Sequence, residues 1–368
     1  MLTPARRPLG ANLLLVRDHN AALVLDLVRG AEGISRIELA ARTGLTAQAI
    51  TKIVSRLLLD RLITEAGRAG ATGGKPRTLL RLNPTARYAV GVHLDRADTT
   101  VLLTDLSGRT VARRHRTRGM TAGPRRALDT IVAAVHGILA AVPGTDRLLG
   151  VGLACPGPLD HTTGVLHRVT GLPQWDGFPL RDKLAGLLGE PTIVDKDTNA
   201  AALAECLSTG TAPGSFAYIY HGRGLGAGLV LDGHVYRGRR TNAGEFGHQV
   251  VDLDGAACPC GNQGCLEAVC RVALDAGDIA AAARLVGIGA ANLVRLLDID
   301  RIVLGGPIVL DQAEQYQRVV VATIRSQLGE PDWQQVTVTL AAAGRDSIAT
   351  GAAALARAPL FDITRPDR

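Results

Sequence analysis

The sequence predicts an α/β protein made of a basic winged helix-turn-helix followed by a larger, two-lobed α/β body. Three observations predict it. Residues 1–90 carry 14 Lys/Arg against 6 Asp/Glu, a net of +8; the whole chain is +7, so residues 91–368 sum to −1. The basic stretch contains a helix, a glycine turn and a second helix, then a glycine-rich hairpin. Beyond it, a triplet of strand-like runs occurs twice, about 130 residues apart, which points to two related lobes.

At 368 residues the chain can bury two or three cores. It has no uncharged apolar run long enough for a membrane helix, and the run Leu13–Val16 is too short for a signal-peptide core. The expected location is the cytoplasm, where thiols stay reduced and a cysteine cluster indicates a metal rather than disulfides. Cys155, Cys206 and Cys270 stand apart and are expected to be buried thiols.

The amino-terminal module is expected to span residues 1–82. Asn20 to Arg29 has helical apolar spacing and ends before Gly30. Ser35 and Glu38 have the spacing of a capping box, opening a helix that stops at Gly44. Thr46 caps a third helix over AQAITKIVSRLLLDRLI. Its Ile50, Ile53, Val54 and Leu57 form a core stripe and leave Gln48, Thr51, Lys52 and Ser55 on the opposite face. Such a third helix enters the major groove, and Arg36 and Arg56 join its four polar residues as expected DNA contacts. Three amphipathic helices alone also fit a generic helical domain. The basic hairpin across Leu62–Leu82 decides for DNA, with Lys75 and Arg77 at its tip as phosphate or minor-groove contacts. Residues 83–87, punctuated by Asn83-Pro84, form the linker.

The body is expected to span residues 88–368. Its first strand triplet is YAVGVHLD, TTVLLTD and RTVARRH; its second is FAYIYHG, GAGLVLD and HVYRG. Helical patterns at 124–141, 198–208 and 278–297 cover the sheets. Gly244 to Glu267 reads GEFGHQVVDLDGAACPCGNQGCLE. His248, Cys258, Cys260 and Cys265 suit tetrahedral zinc, and four protein ligands leave no position for a catalytic water. A structural zinc in a 248–265 knuckle is therefore expected, flanked by the carboxylates of Glu245 and Glu267.

The motif G-E-F-G-H followed by C-P-C-G-N-Q-G-C-L-E resembles the signature of the ROK family, which comprises sugar-responsive repressors and sugar kinases. The resemblance extends over roughly residues 11–356 and implies the two-lobed architecture of actin and hexokinase, with a cleft between the lobes. Residues 11–82 are similar to the winged helix of the repressor branch, which the kinases lack. The same resemblance implies Asp197, Glu245, His248 and Glu267 as sugar contacts, with Asp197 the counterpart of the kinases' catalytic base. The chain departs from the family in several places. The first phosphate loop of the kinases, Asp-x-Gly-Gly-Thr, reads His93 to Asp98 here (HLDRAD), so no kinase activity is expected. The second loop, Gly222–Gly228, and the turn Gly305-Gly306 keep their glycines. Two sugar-contacting asparagines are replaced by Lys196 and Gly171. Lys196 is therefore expected to pair with Asp197 or to receive an anionic sugar-like effector. The stretch after Cys270 is shorter than in the family. The expected protein is a homodimeric or tetrameric repressor on an inverted-repeat operator. Two alternatives are a sugar kinase and a DNA-binding protein with a non-sensing body.

Overall fold

The structure is a computed structural model and describes residues 13–68, 77–208, 214–329 and 335–361. Among the described residues, those from Leu13 to Arg87 together with Ala358–Phe361 form one compact unit, and those from Tyr88 to Arg357 form the other.

The first unit opens with α1 (Leu13–Arg29), then β1 (Ile34–Ser35), α2 (Arg36–Thr43) and α3 (Ala47–Leu59). α1 starts seven residues earlier than its apolar spacing indicates, because no glycine or proline interrupts residues 11–29. Ser35 caps α2 through both arms of the box: its hydroxyl accepts from the Glu38 amide, and the Glu38 carboxylate accepts from the Ser35 amide at 2.8 Å. Gly44 closes α2 at φ 69°, donating to Ala40 O. α3 is capped by Thr46 as expected but stops four residues early. Arg61 adopts φ 59°, its amide donates to Leu58 O, and Ile63 already begins a strand. β2 (Ile63–Arg68) and β3 (Thr78–Leu82) form the wing, in a sheet of order β1-β3-β2. Leu25, Leu39, Ile50, Val54, Leu57, Ile63 and Leu80 are the core. Replacing Ser35 with Ala removes both bonds of its hydroxyl, one from the Glu38 amide and one to the Glu38 carboxylate, and is expected to cost about 1 kcal/mol of this unit's stability, read as a lower melting temperature.

The second unit holds two lobes. In the first, β4 (Tyr88–Leu94), β5 (Thr99–Asp105) and β6 (Thr110–Arg116) form a meander, followed by α4 (Pro124–Leu139) and β7 (Leu148–Cys155). A small hairpin, β8 (Leu159–Asp160) and β9 (Val165–Leu166), precedes α5 (Leu180–Leu188) and β10 (Thr192–Lys196). α6 (Asp197–Ser208) then leads to the second lobe. Its meander is β11 (Phe216–His221), β12 (Leu225–Leu231) and β13 (His234–Tyr236). After the cysteine knuckle come α7 (Leu266–Asp275), α8 (Ile279–Leu297), β14 (Arg301–Gly305), α9 (Pro307–Asp311), α10 (Ala313–Leu328), β15 (Thr337–Leu340) and α11 (Ser347–Phe361).

The two sheets share one plan. Their orders are β10-β7-β4-β5-β6 and β15-β14-β11-β12-β13, each an antiparallel meander extended by two parallel strands. The repeated triplet in the sequence marks this internal duplication. α6 and α11 cross between the sheets, and small residues let them approach. A Cβ on Gly152 of β7 would stand 1.7 Å from Ala352 O of α11, and one on Gly351 would stand 1.7 Å from Ala200 O of α6. α8 is long and apolar enough to cross a membrane by length and composition, but its Ala283, Val286, Ala290 and Val294 are buried in the second lobe's core. α7 passes into α8 through Gly277 (φ 76°) and Asp278, whose carboxylate accepts from the Ala281 amide.

Candidate functional site

Three sites emerge from these elements. The first is the knuckle between β13 and α7. Cys265 is the residue before α7 and is fully buried, while Phe246 and Leu266 root the segment in the second lobe's core. The turn is tight: the Gly261 amide donates to Cys258 O, and Gly264 (φ 66°) passes so close to Asp252 O that a Cβ would stand 1.4 Å away. The ligand atoms of His248, Cys258, Cys260 and Cys265 all lie within 4.8 Å of one another. Cys258 Sγ is 3.7 Å from His248 Nδ1, and Cys260 Sγ is 3.7 Å from Cys265 Sγ. Tetrahedral ligands about 2.3 Å from one zinc stand about 3.8 Å apart, so the donor set fits a metal of that kind. Burial pushes the Cys265 thiol up to about 12, whereas a backbone hydrogen bond at Asn262 lowers that of Cys260. Nδ1 is the histidine nitrogen that faces the sulfurs, and Nε2 lies 3.9 Å from Glu245 Oε2.

The second site is the set of polar residues between the lobes. Lys196, at the end of β10, is almost fully buried. Its Nζ donates to Glu245 Oε1 at 2.6 Å and to Ala243 O at 3.4 Å. The charge of Lys196 is thus held by Glu245, and the expected ion pair with Asp197 does not form. Asp197 opens α6 and accepts from the Thr198 amide at 2.7 Å. Burial raises its carboxyl above the ordinary aspartate range, against the opposing pull of Lys196 and His93. Burial also holds the imidazole of His93 below its ordinary range, against the pull of Asp95 and Asp197. Glu267, in the first turn of α7, accepts from the Leu225 amide at 2.8 Å and pairs with Arg271. Gly171 has φ 71°, and the Arg96 guanidinium lies 3.8 Å from where its Cβ would be. Asp195 is buried and held by Arg237, a pair that nothing in the local sequence announces.

A pH dependence follows from Asp197. Its folded-state pKa is raised, so its contribution to stability is full below the ordinary aspartate value of 3.8 and is lost as pH rises through the folded value. Asp197→Asn removes that loss. Its melting temperature is expected to equal or exceed that of the unaltered protein at pH 7, and to fall below it or match it near pH 4.

The third site is the exposed face of α3. Gln48, Thr51, Lys52, Ser55 and Arg56 are all exposed, while Ile50, Val54 and Leu57 are buried. Ile53 of the expected stripe is only partly buried. Thr51 donates its hydroxyl proton to Ala47 O, and Arg56 lies 3.9 Å from Asp60. Arg36 is drawn to Glu65 of β2 at 3.2 Å, at the base of the wing. Arg77 is exposed before β3, and Lys75 lies outside the described residues.

Comparison with known proteins agrees with this construction. The profile of the ROK family matches residues 89–276 and 270–358, two stretches that overlap in the second half of α7. The xylose repressor of Bacillus subtilis (strain 168) is 27% identical over 259 residues, 70% of this chain and 67% of that protein. The DNA-binding transcriptional dual regulator NagC of Escherichia coli (strain K12) is 30% identical over 275 residues, 73% of this chain and 66% of that protein. The chain spans 64–67% of the length of the curated repressors it matches. Among solved structures, a ROK family transcriptional regulator, a homolog of the Escherichia coli MLC protein, matches 95% of this chain at a TM-score of 0.75 with 24% identity, a likeness of fold. A ROK family glucokinase from Streptomyces griseus, in complex with glucose and AMPPNP, matches 73% at a TM-score of 0.64 with 27% identity. With the family's profile covering the body from β4 to α11, this chain belongs to the ROK family.

Proposed function

We propose that the protein is a DNA-binding transcriptional regulator, acting as a repressor, whose body senses a sugar or sugar-derived molecule between its lobes. The observation that carries this reading is the exposed polar face of a capped α3, in a net +8 module, joined to a ROK body. The kinship with repressors for xylose and N-acetylglucosamine supports a sugar as effector class without selecting one sugar. Asp197, Glu245, His248 and Glu267 are the groups that would hold its hydroxyls: the carboxylates accept, and the imidazole, with Nδ1 on the metal, donates from Nε2. An anionic sugar would have to draw Lys196 away from Glu245.

Kinase chemistry is disfavoured by how the turn after β4 uses its donors. The Asp95 amide donates to Asp98 O and the Arg96 amide to the Asp95 carboxylate, and both aspartates repel a triphosphate. In the second glycine loop the Leu225 amide is already taken by Glu267. The metal is zinc with a structural role, bound by His248, Cys258, Cys260 and Cys265; it supplies rigidity to the turn that carries Glu245 and to the start of α7, which carries Glu267. A homodimer would set two α3 helices on an inverted repeat with half-sites about one helical turn apart, or a multiple of that.

Selection of bound sequences from a random DNA pool tests the reading. Enrichment of an inverted repeat is the expected result. A pool that stays random, together with sugar-dependent ADP formation, would transfer the protein to the kinase branch.

A further inference from the structure

One segment of the second lobe, Arg237 to Glu245, bonds to the first lobe at four residues, Arg237, Thr241, Ala243 and Glu245. At its start, Arg237 places Nε 2.8 Å and Nη2 2.7 Å from Oδ2 of Asp195 in β10. In its middle, Thr241 Oγ1 accepts from the His161 amide at 3.1 Å and lies 2.7 Å from His161 Nδ1, just after β8. Near its end, Ala243 O and Glu245 Oε1 both accept from Lys196 Nζ. The segment then runs directly into His248 and the knuckle.

Its backbone is unusual. Thr241 has φ 59° and is 1% exposed. A β-branched residue in the left-handed region is disfavoured by its own side chain, and it persists only where the surroundings hold it. Here the surroundings are His161, on the other lobe. Gly238 and Gly244, at φ 68° and 79°, bracket the strained residue and supply two points where the chain can turn. On the second-lobe side, Gly244 is pinned by Ala227 of β12, whose amide donates to Gly244 O at 2.9 Å.

We propose that Arg237–Glu245 is an interlobe strap, that Lys196 is the positioning residue that fastens its far end, and that the effector acts by taking Glu245 from Lys196. The last clause rests on the reading of the cleft as a sugar site; the strap itself does not. A hydroxyl that binds Glu245 competes with the ammonium for the same carboxylate oxygen. Once Lys196 is displaced, the strap keeps only its Asp195 and His161 bonds, and the strain at Thr241 favours its release. The two lobes then change their separation. The carboxylate that senses the ligand also faces the histidine of the metal knuckle, so the knuckle gives the strap a rigid anchor on one lobe only.

Hydrogen exchange followed by mass spectrometry on the full-length, zinc-loaded protein tests the strap without any effector. In Lys196→Met and in Thr241→Ala, peptides covering 159–163 and 237–245 are expected to exchange about tenfold faster together, as one cooperative unit. Thr241→Ser, which keeps the hydroxyl, is expected to leave them slow. Unchanged exchange in Lys196→Met overturns the fastening role. A second arm measures operator binding with D-xylose, D-glucose and N-acetyl-D-glucosamine. Whichever sugar shifts the unaltered protein is expected to lose its effect in Lys196→Met and keep it in Thr241→Ser; a full response in Lys196→Met overturns the proposed action of the effector. If none of these sugars shifts the unaltered protein, the assignment of the effector fails and the exchange data alone decide the strap.

Discussion

Cys260→Ser is expected to abolish zinc binding and to lower the melting temperature of the body by roughly 10 °C. Cys260 is exposed, so its replacement disturbs little packing and the effect reports the metal. The magnitude follows from linkage: a metal held at about a thousandfold excess over its dissociation constant contributes about 4 kcal/mol, and each kcal/mol moves a domain of this size by roughly 2–4 °C. Elemental analysis should give about one zinc per chain for the unaltered protein and a small fraction of that for the variant. The consequence extends beyond stability. Glu245 and His248 sit in the same short turn, and Glu267 follows Cys265 by two residues in α7. Loss of the metal therefore frees the carboxylates that face the cleft, and any sugar response is expected to disappear with it. Unchanged zinc content would remove the metal assignment.

The second large effect lies on α3. The double variant Gln48→Ala, Lys52→Ala is expected to weaken operator binding by about two orders of magnitude while leaving the melting temperature unchanged. Both side chains are exposed on the face opposite Ile50, Val54 and Leu57, so they add nothing to the core. A base-edge contact from Gln48 carries roughly 1–3 kcal/mol of discrimination, and a phosphate contact from Lys52 lowers the salt slope by about 1 when removed. Anisotropy titrations at two salt concentrations separate the contributions. Binding that weakens equally on operator and random DNA would make Gln48 a backbone contact. Arg36 offers a contrast: it is drawn to Glu65, so its removal is expected to act through the base of the wing as much as through DNA.

What the sequence revealed and what it hid follow the range of the forces involved. Ser35 with Glu38, Thr46 and Gly44 announce α2 and α3 because caps are settled by hydrogen bonds within three or four residues. The knuckle is equally local, with three sulfurs in eight residues and glycines where the turn requires them. The meanders are legible because Ser107-Gly108 and Asp232-Gly233 mark their turns. β7 and β14 carry no such mark. They are parallel strands buried on both faces, so their sequences read as continuous apolar runs without alternation. The overrun of α3 has a related cause: LLLDRLI keeps helical apolar spacing, and only the left-handed backbone at Arg61 ends it. Side-chain partners were the least legible. Lys196 and Glu245 are 49 residues apart and Asp195 and Arg237 are 42 apart, and each pair belongs to two lobes whose approach no local pattern encodes.

The most direct test of the account is fluorescence anisotropy of the zinc-loaded protein on DNA from upstream of its own gene, with and without a panel of neutral, amino and acidic sugars. Tight, sequence-selective binding that one sugar shifts by at least tenfold, about 1.4 kcal/mol of coupling, is the predicted result. Absence of selective binding at moderate salt would contradict the account.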